Sequence, residues 1–160
     1  MTIPATGRLL CSAGIPAIYV NDNFGQWRSD AKSLIARCVD SSCAGKPFVE
    51  QLRPDDEDYL HLKPVHSAFQ TPLEILFQYL GATTLILTGH ATNSCIICTA
   101  LDANMRNFGP YVPFDGSAAR SRHEHTRAIE YIKEMTCASV ILSARLRVDA
   151  SRAANDKTKA

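Results

Sequence analysis

The segment from Thr83 to Met105 constrains the fold of this chain more than any other. Thr84 to Thr88 is a short apolar run rich in β-formers, which predicts a buried strand. Gly89-His90-Ala91 reads as the turn after it. Thr92 and Asn93 are both good helix N-caps, and from Ser94 onward Ile97, Ala100, Leu101, Asn104 and Met105 recur at helical spacing. Cys95 is therefore expected in the first turn of a helix that begins where a strand ends. At such a position the helix dipole and free N–H groups favour a thiolate. The C-terminal ends of strands are also where open α/β sheets bind ligands. The plainer alternative is that Cys95 is a small buried apolar residue, as cysteines often are.

Outside that segment the chain alternates. Thr6 to Ala13 looks like the end of a helix closed by Gly14. Residues 17–21 read as a strand and Ser29 to Val39 as an amphipathic helix. Residues 41–54 read as irregular, broken by Gly45, Pro47 and Pro54. Tyr59 to Lys63 alternates as a strand does, and Pro64 stops it. Thr71 as N-cap and Pro72 as first helical residue open a helix whose apolar face is Leu73, Leu76, Phe77 and Leu80. A strand over 111–114, a helix from His123 to Met135 with Ile129, Ile132 and Met135 apolar, and a last strand from Ser139 to Ala144 complete the order. His123 and His125, at that helix start, read as solvated.

Such alternation predicts an α/β fold with a parallel sheet covered on both faces. The C-terminal strand ends would gather Asp22, Lys63, Cys95 and Asp115 at one edge. Residues 1–148 read as one domain and 149–160, polar and Ala-rich, as a disordered tail. The net charge of +1 gives no argument for a nucleic-acid partner or an anionic membrane surface. No apolar run reaches transmembrane length, so no membrane partner is expected. Six cysteines scattered without a framework pattern fit a reduced, cytoplasmic protein.

Three stretches resemble one known family. Gly89-His-Ala-Thr-Asn-Ser-Cys95, with Thr99-Ala-Leu-Asp-Ala103 and Met105-Arg106 after it, is similar to the nucleophile segment of the isochorismatase-like cysteine hydrolases. Leu62-Lys63-Pro64, with Ser67-Ala-Phe69 and Thr71-Pro-Leu73, resembles that family's lysine segment. Residues 15–22, with Phe24, Gly25 and Trp27, resemble its second strand and the loop after it. The similarity runs from about Arg8 to Leu146.

The resemblance implies a three-layer α/β sandwich with a mostly parallel sheet and an Asp-Lys-Cys triad. Cys95 would be the nucleophile and Lys63 the cation beside it. The backbone N–H groups of Ala91 and Cys95 would form an oxyanion hole, helped by a cis peptide between His90 and Ala91. Phe24, Trp27 and Phe69 would wall a substrate pocket, although each residue type is more often plain packing. The implied activity is attack on a small amide or related acyl substrate through a thioester. Metal-binding nicotinamidase relatives carry an Asp-x-His after the second strand; Asp22-Asn23-Phe24 has no His there, so no metal and no cofactor are expected. Family members commonly associate, which leaves a homo-oligomer open.

One departure bears on activity. The family's aspartate lies in a first strand within a motif like D-x-x-N-D-F, and no such motif precedes Arg8. The expectation is an N-terminally truncated domain lacking a central strand, with little or no turnover. Asp22, at the end of the neighbouring strand, is the candidate substitute base. Two other readings stand beside the hydrolase: a catalytically silent remnant of the same fold that binds a partner, and a thiol redox protein using Cys95-x-x-Cys98.

Overall fold

The structure, a computed structural model, describes residues 14–25, 27, 31–40 and 46–147. The helix end expected over 6–13 and the tail expected over 149–160 lie outside these residues.

Three strand pairs form the frame, and all are parallel. β1 (Ile18–Asp22) runs beside β2 (Tyr59–Lys63), in register from Ile18 opposite Tyr59 to Asp22 opposite Lys63. β3 (Thr84–Ile86) pairs with β5 (Gly109–Tyr111), and β4 (Gly89–His90) with β6 (Ser117–Ala118). Parallel pairing is what the alternation of strands and helices predicts. The helices are α1 (Ala31–Asp40), α2 (Lys46–Gln51), α3 (Leu73–Tyr79), α4 (Ile97–Met105) and α5 (Arg122–Met135). Among the described residues no helix is long and apolar enough to cross a membrane.

Several expectations are corrected. The strand expected over 84–88 stops at Ile86, and Thr84 is exposed rather than buried. Gly109 N–H donates to Thr83 O and Leu87 N–H to Tyr111 O, but Pro113 has no N–H for the next rung. That missing donor also explains why β5 ends at Tyr111 and does not run on to 114; the bond from Gly109 N–H sets its earlier start. The last strand is reduced to a bridge between Tyr111 and Ser139, flanked by bonds from Val112 N–H to Ser139 O and Phe114 N–H to Ile141 O. Residues 46–51, expected to be irregular, form α2, because Pro47 falls in a first turn where no N–H is needed. Thr71 does not cap α3: its hydroxyl donates to Ala68 O at 2.8 Å, closing the 3-10 turn Ala68–Gln70, and Pro72 occupies the cap.

The core has two apolar clusters, and α4 contributes to both. Ala103 joins Ala68, Leu73, Phe77 and Leu85, while Ala100 joins Ile96, Val112, Ile129 and Ile132. The buried stripe of α4 is Thr99, Ala100 and Ala103, and Met105 is 70% exposed. Of the expected stripe, Ala100 is buried and Ile97 packs against the second cluster, whereas Met105 turns out; a π-helical turn, Thr92–Ile96, precedes α4. A π turn holds one residue more than an α turn and so rotates the helix that continues from it. On α5, Ala128, Ile129 and Ile132 are buried, but Met135 at the open last turn is not.

Asp115 does not turn to the edge that holds the other strand-end residues. It accepts from Ser143 N–H at 2.7 Å and from the Ser143 hydroxyl at 2.6 Å. Burial pushes its carboxyl up, but the Ser143 bonds outweigh this and hold it below its ordinary value. A carboxylate lowered in the folded state stabilises the fold above its unfolded titration range, and that contribution is lost as pH falls through the folded one. Asp115→Asn is therefore expected to cost about 1–3 kcal/mol at pH 7. Thermal unfolding of the two proteins at pH 7 and at pH 3 should show the gap closing in acid.

Candidate active site

The in-register pairing of β1 and β2 ends on two charges. Asp22 and Lys63 are the last paired residues, and Asn23 N–H donates to Lys63 O at 2.8 Å, prolonging the ladder by one bond. The Lys63 side chain is 3% exposed and that of Asp22 34%. An ammonium buried to this degree needs a partner, since its desolvation costs several kcal/mol. Lys63 Nζ donates to Asp22 Oδ1 and, at 3.4 Å, to Cys95 Sγ. No hydrogen bond joins Asp22 to Cys95 among the described residues; Lys63 stands between them.

Cys95 reaches this point because the chain around it is held on every side. Gly89 has φ +125°, a conformation closed to residues with a Cβ, and the His90–Ala91 peptide bond is cis. The Ala91 carbonyl accepts from Ser94 N–H at 3.1 Å and from Ile96 N–H at 3.2 Å, which closes the wide turn. Thr92 is fully buried inside that turn and does not act as its cap. Its Oγ1 lies 2.8 Å from His125 Nδ1 and donates to Ser117 Oγ at 3.2 Å. Asn93 is no cap either: its Nδ2 donates to Glu124 Oε2 at 3.3 Å.

His125 corrects the solvated reading. It is 8% exposed, with its ring edge-on to Phe114 at 4.7 Å. The signal for it is present in the sequence, because 125, 129 and 132 fall on one helical face. Ser117 carries no comparable signal.

The second thiol of the C-x-x-C differs from the first. Burial pushes the Cys98 thiol up, and the nearby Cys95 and Asp102 add to this against Lys63. On the open side of Cys95, His66 Nδ1 lies 3.0 Å from Ser94 Oγ, and Ser94 Oγ lies 4.0 Å from Cys95 Sγ. Of the three rings, Phe24 and Trp27 are 73% and 76% exposed, just after β1. Phe69 instead packs edge-on against Phe77 and beside Phe108, with the Arg106 guanidinium 4.7 Å above it.

The sequence pattern of the isochorismatase domain matches residues 2–145. The chain belongs to the isochorismatase family. It is 34% identical over 126 residues to the uncharacterized isochorismatase family protein YaaI of Bacillus subtilis strain 168, covering 78% of this chain and 68% of that one. It is 36% identical over 85 residues to enterobactin synthase component B of Escherichia coli strain K12, covering 52% of this chain but only 30% of that protein. Among solved structures, N-carbamoylsarcosine amidase from Thermoplasma acidophilum superposes with a TM-score of 0.68 at 26% identity, over 91% of this chain and 83% of that one. The parallel α/β fold of the isochorismatase-like proteins is thus the fold of this chain.

Proposed function

We propose that this chain is a cysteine-dependent hydrolase of small amides. The observation that carries the reading is Lys63 Nζ at 3.4 Å from Cys95 Sγ, with Asp22 paired to the same ammonium. The cation stabilises negative charge on the sulfur, and the bond to Asp22 holds the ammonium in place. The thiolate attacks the carbonyl carbon of the substrate. The resulting oxyanion is met by the backbone N–H groups of Ala91 and Cys95. The C–N bond breaks, the amine departs with a proton, and water then hydrolyses the thioester at Cys95. The amide class is supported by the likeness to N-carbamoylsarcosine amidase. Phe24 and Trp27, both exposed just after β1, are the rings we assign to the pocket mouth; Phe69 is packed against Phe77 and Phe108.

The test is brief alkylation with iodoacetamide near neutral pH, then peptide mapping. Cys95 should label first of the six cysteines, ahead of Cys98, whose thiol is pushed up. Lys63→Ala should slow Cys95 labelling about tenfold or more, the equivalent of about 1.4 kcal/mol of lost charge stabilisation. Equal labelling of Cys95 and Cys98 in the parent protein would overturn the reading.

A further inference from the structure

Among the described residues no carboxylate or imidazole bonds directly to Cys95 Sγ. Asp22 bonds to Lys63 and not to Cys95, and Lys63 as an ammonium has no lone pair to offer. Proton transfer needs an acceptor at hydrogen-bond distance, or one bridging group away. Besides Lys63, Ser94 Oγ stands 4.0 Å from Cys95 Sγ, the outer reach of a hydrogen bond to sulfur, and 3.0 Å from His66 Nδ1.

We propose that Ser94 and His66 form the proton relay of Cys95. This rests on the cysteine-hydrolase reading above and deepens it. In the tautomer protonated on Nε2, His66 Nδ1 accepts from the Ser94 hydroxyl. The Cys95 S–H bond breaks and its proton passes to Ser94 Oγ, while the Ser94 hydroxyl proton passes to Nδ1. The sulfur keeps the electron pair as thiolate, and the ring becomes imidazolium. When the C–N bond of the substrate breaks, the proton returns by the same route and leaves on the amine nitrogen. Cys95 is left as the thioester, Ser94 as a neutral hydroxyl and His66 as a neutral imidazole.

The surroundings suit this role. His66 is exposed, so the ring can exchange protons with water, which a buried relay could not do. Its backbone is held at φ +50°, in the left-handed region, which turns the loop after Pro64 back toward the π turn. Of the other titratable groups about that turn, His90 precedes it and is exposed, and the rest have partners or stay protonated. Lys63 and Asp22 pair with each other from the strand ends, and Glu124 of α5 accepts from Asn93. Cys98, one helical turn on, is held as a thiol. His125 is on the buried side with Thr92.

The experiment tracks the iodoacetamide rate of Cys95 between pH 6 and pH 10 in the full chain. Asn tolerates the left-handed region, so His66→Asn removes the base and keeps the loop. His66→Asn and Ser94→Ala should each lower the rate at pH 7 by about tenfold, less than the ~10²–10⁴-fold of an acid–base group in full turnover, and leave it unchanged at pH 10, where any thiol ionises. Ser94→Thr, which keeps a hydroxyl, should retain the parent rate. Added imidazole should restore labelling to His66→Ala but not to Ser94→Ala, a rescue that a structural role would not give. Thermal unfolding of His66→Asn should match the parent. If Lys63→Ala slows labelling while His66→Asn and Ser94→Ala leave the whole profile unchanged, the relay is wrong and the nucleophile stands. If Cys95 labels no faster than Cys98 in the parent, both fall.

Discussion

Cys95→Ala is expected to abolish amide hydrolysis, with kcat falling by at least about 10⁴-fold. Cys95 is the thiol that Lys63 Nζ reaches, at 3.4 Å. Losing a nucleophile removes the covalent route as a whole, and such losses run to about 10⁴–10⁶ in enzymes whose residues act as a unit. The partial exposure of Cys95 makes the fold insensitive to the change, so thermal unfolding should stay near that of the parent. The measurement is release of ammonia or amine from a panel of small amides, with trapping of the acyl group on Cys95 by mass spectrometry. A variant that keeps turnover would remove the cysteine from the mechanism. A parent that forms no acyl adduct with any amide would instead favour the silent, partner-binding reading of the fold.

Ile132→Ala is expected to destabilise the domain by about 3–4 kcal/mol, by lost burial and by the cavity left behind. Ile132 is fully buried in the cluster with Ile96, Ala100, Val112 and Ile129. Against a net stability of about 5–15 kcal/mol this is a large share. Ile96 belongs to the turn that bears Cys95, so the damage should reach the site before the protein melts. Chemical denaturation gives the energy, and Cys95 labelling below the transition gives the local effect. A loss under about 1 kcal/mol would mean that α5 does not hold this side of the core.

The strand–turn–helix around Cys95 is legible because each part has its own composition signature: β-formers, then glycine, then helical spacing. The kind of turn is not legible. A π turn differs from an α turn by one residue, and no propensity scale separates them. Within that turn Thr92 and Asn93 are side-chain partners of α5 and not caps. Lys63 and Asp22 can be placed at strand ends from alternation and the proline after Lys63. Their pairing cannot, because register between distant strands is set by packing and not by either strand alone. His66 escapes for a further reason. Spacing along the chain is the cue for a metal-ligating histidine, and it says nothing about a proton relay. The bond from Ser94 to His66 joins two segments that meet only after folding.

The residue-for-residue match of β1 and β2 has a consequence for how this chain tolerates insertions and deletions. In a strand, adding one residue inverts every side chain beyond it. An extra residue within 59–62 would carry Lys63 past Asp22 and turn its ammonium to the opposite face of the pair, away from Cys95. The same extra residue in the acidic turn at 55–58 would only lengthen an exposed loop, at a cost of a few tenths of a kcal/mol. Length changes in descendants of this sequence should therefore collect in the turn before β2 and be purged from the strand itself, whatever their effect on hydrophobicity.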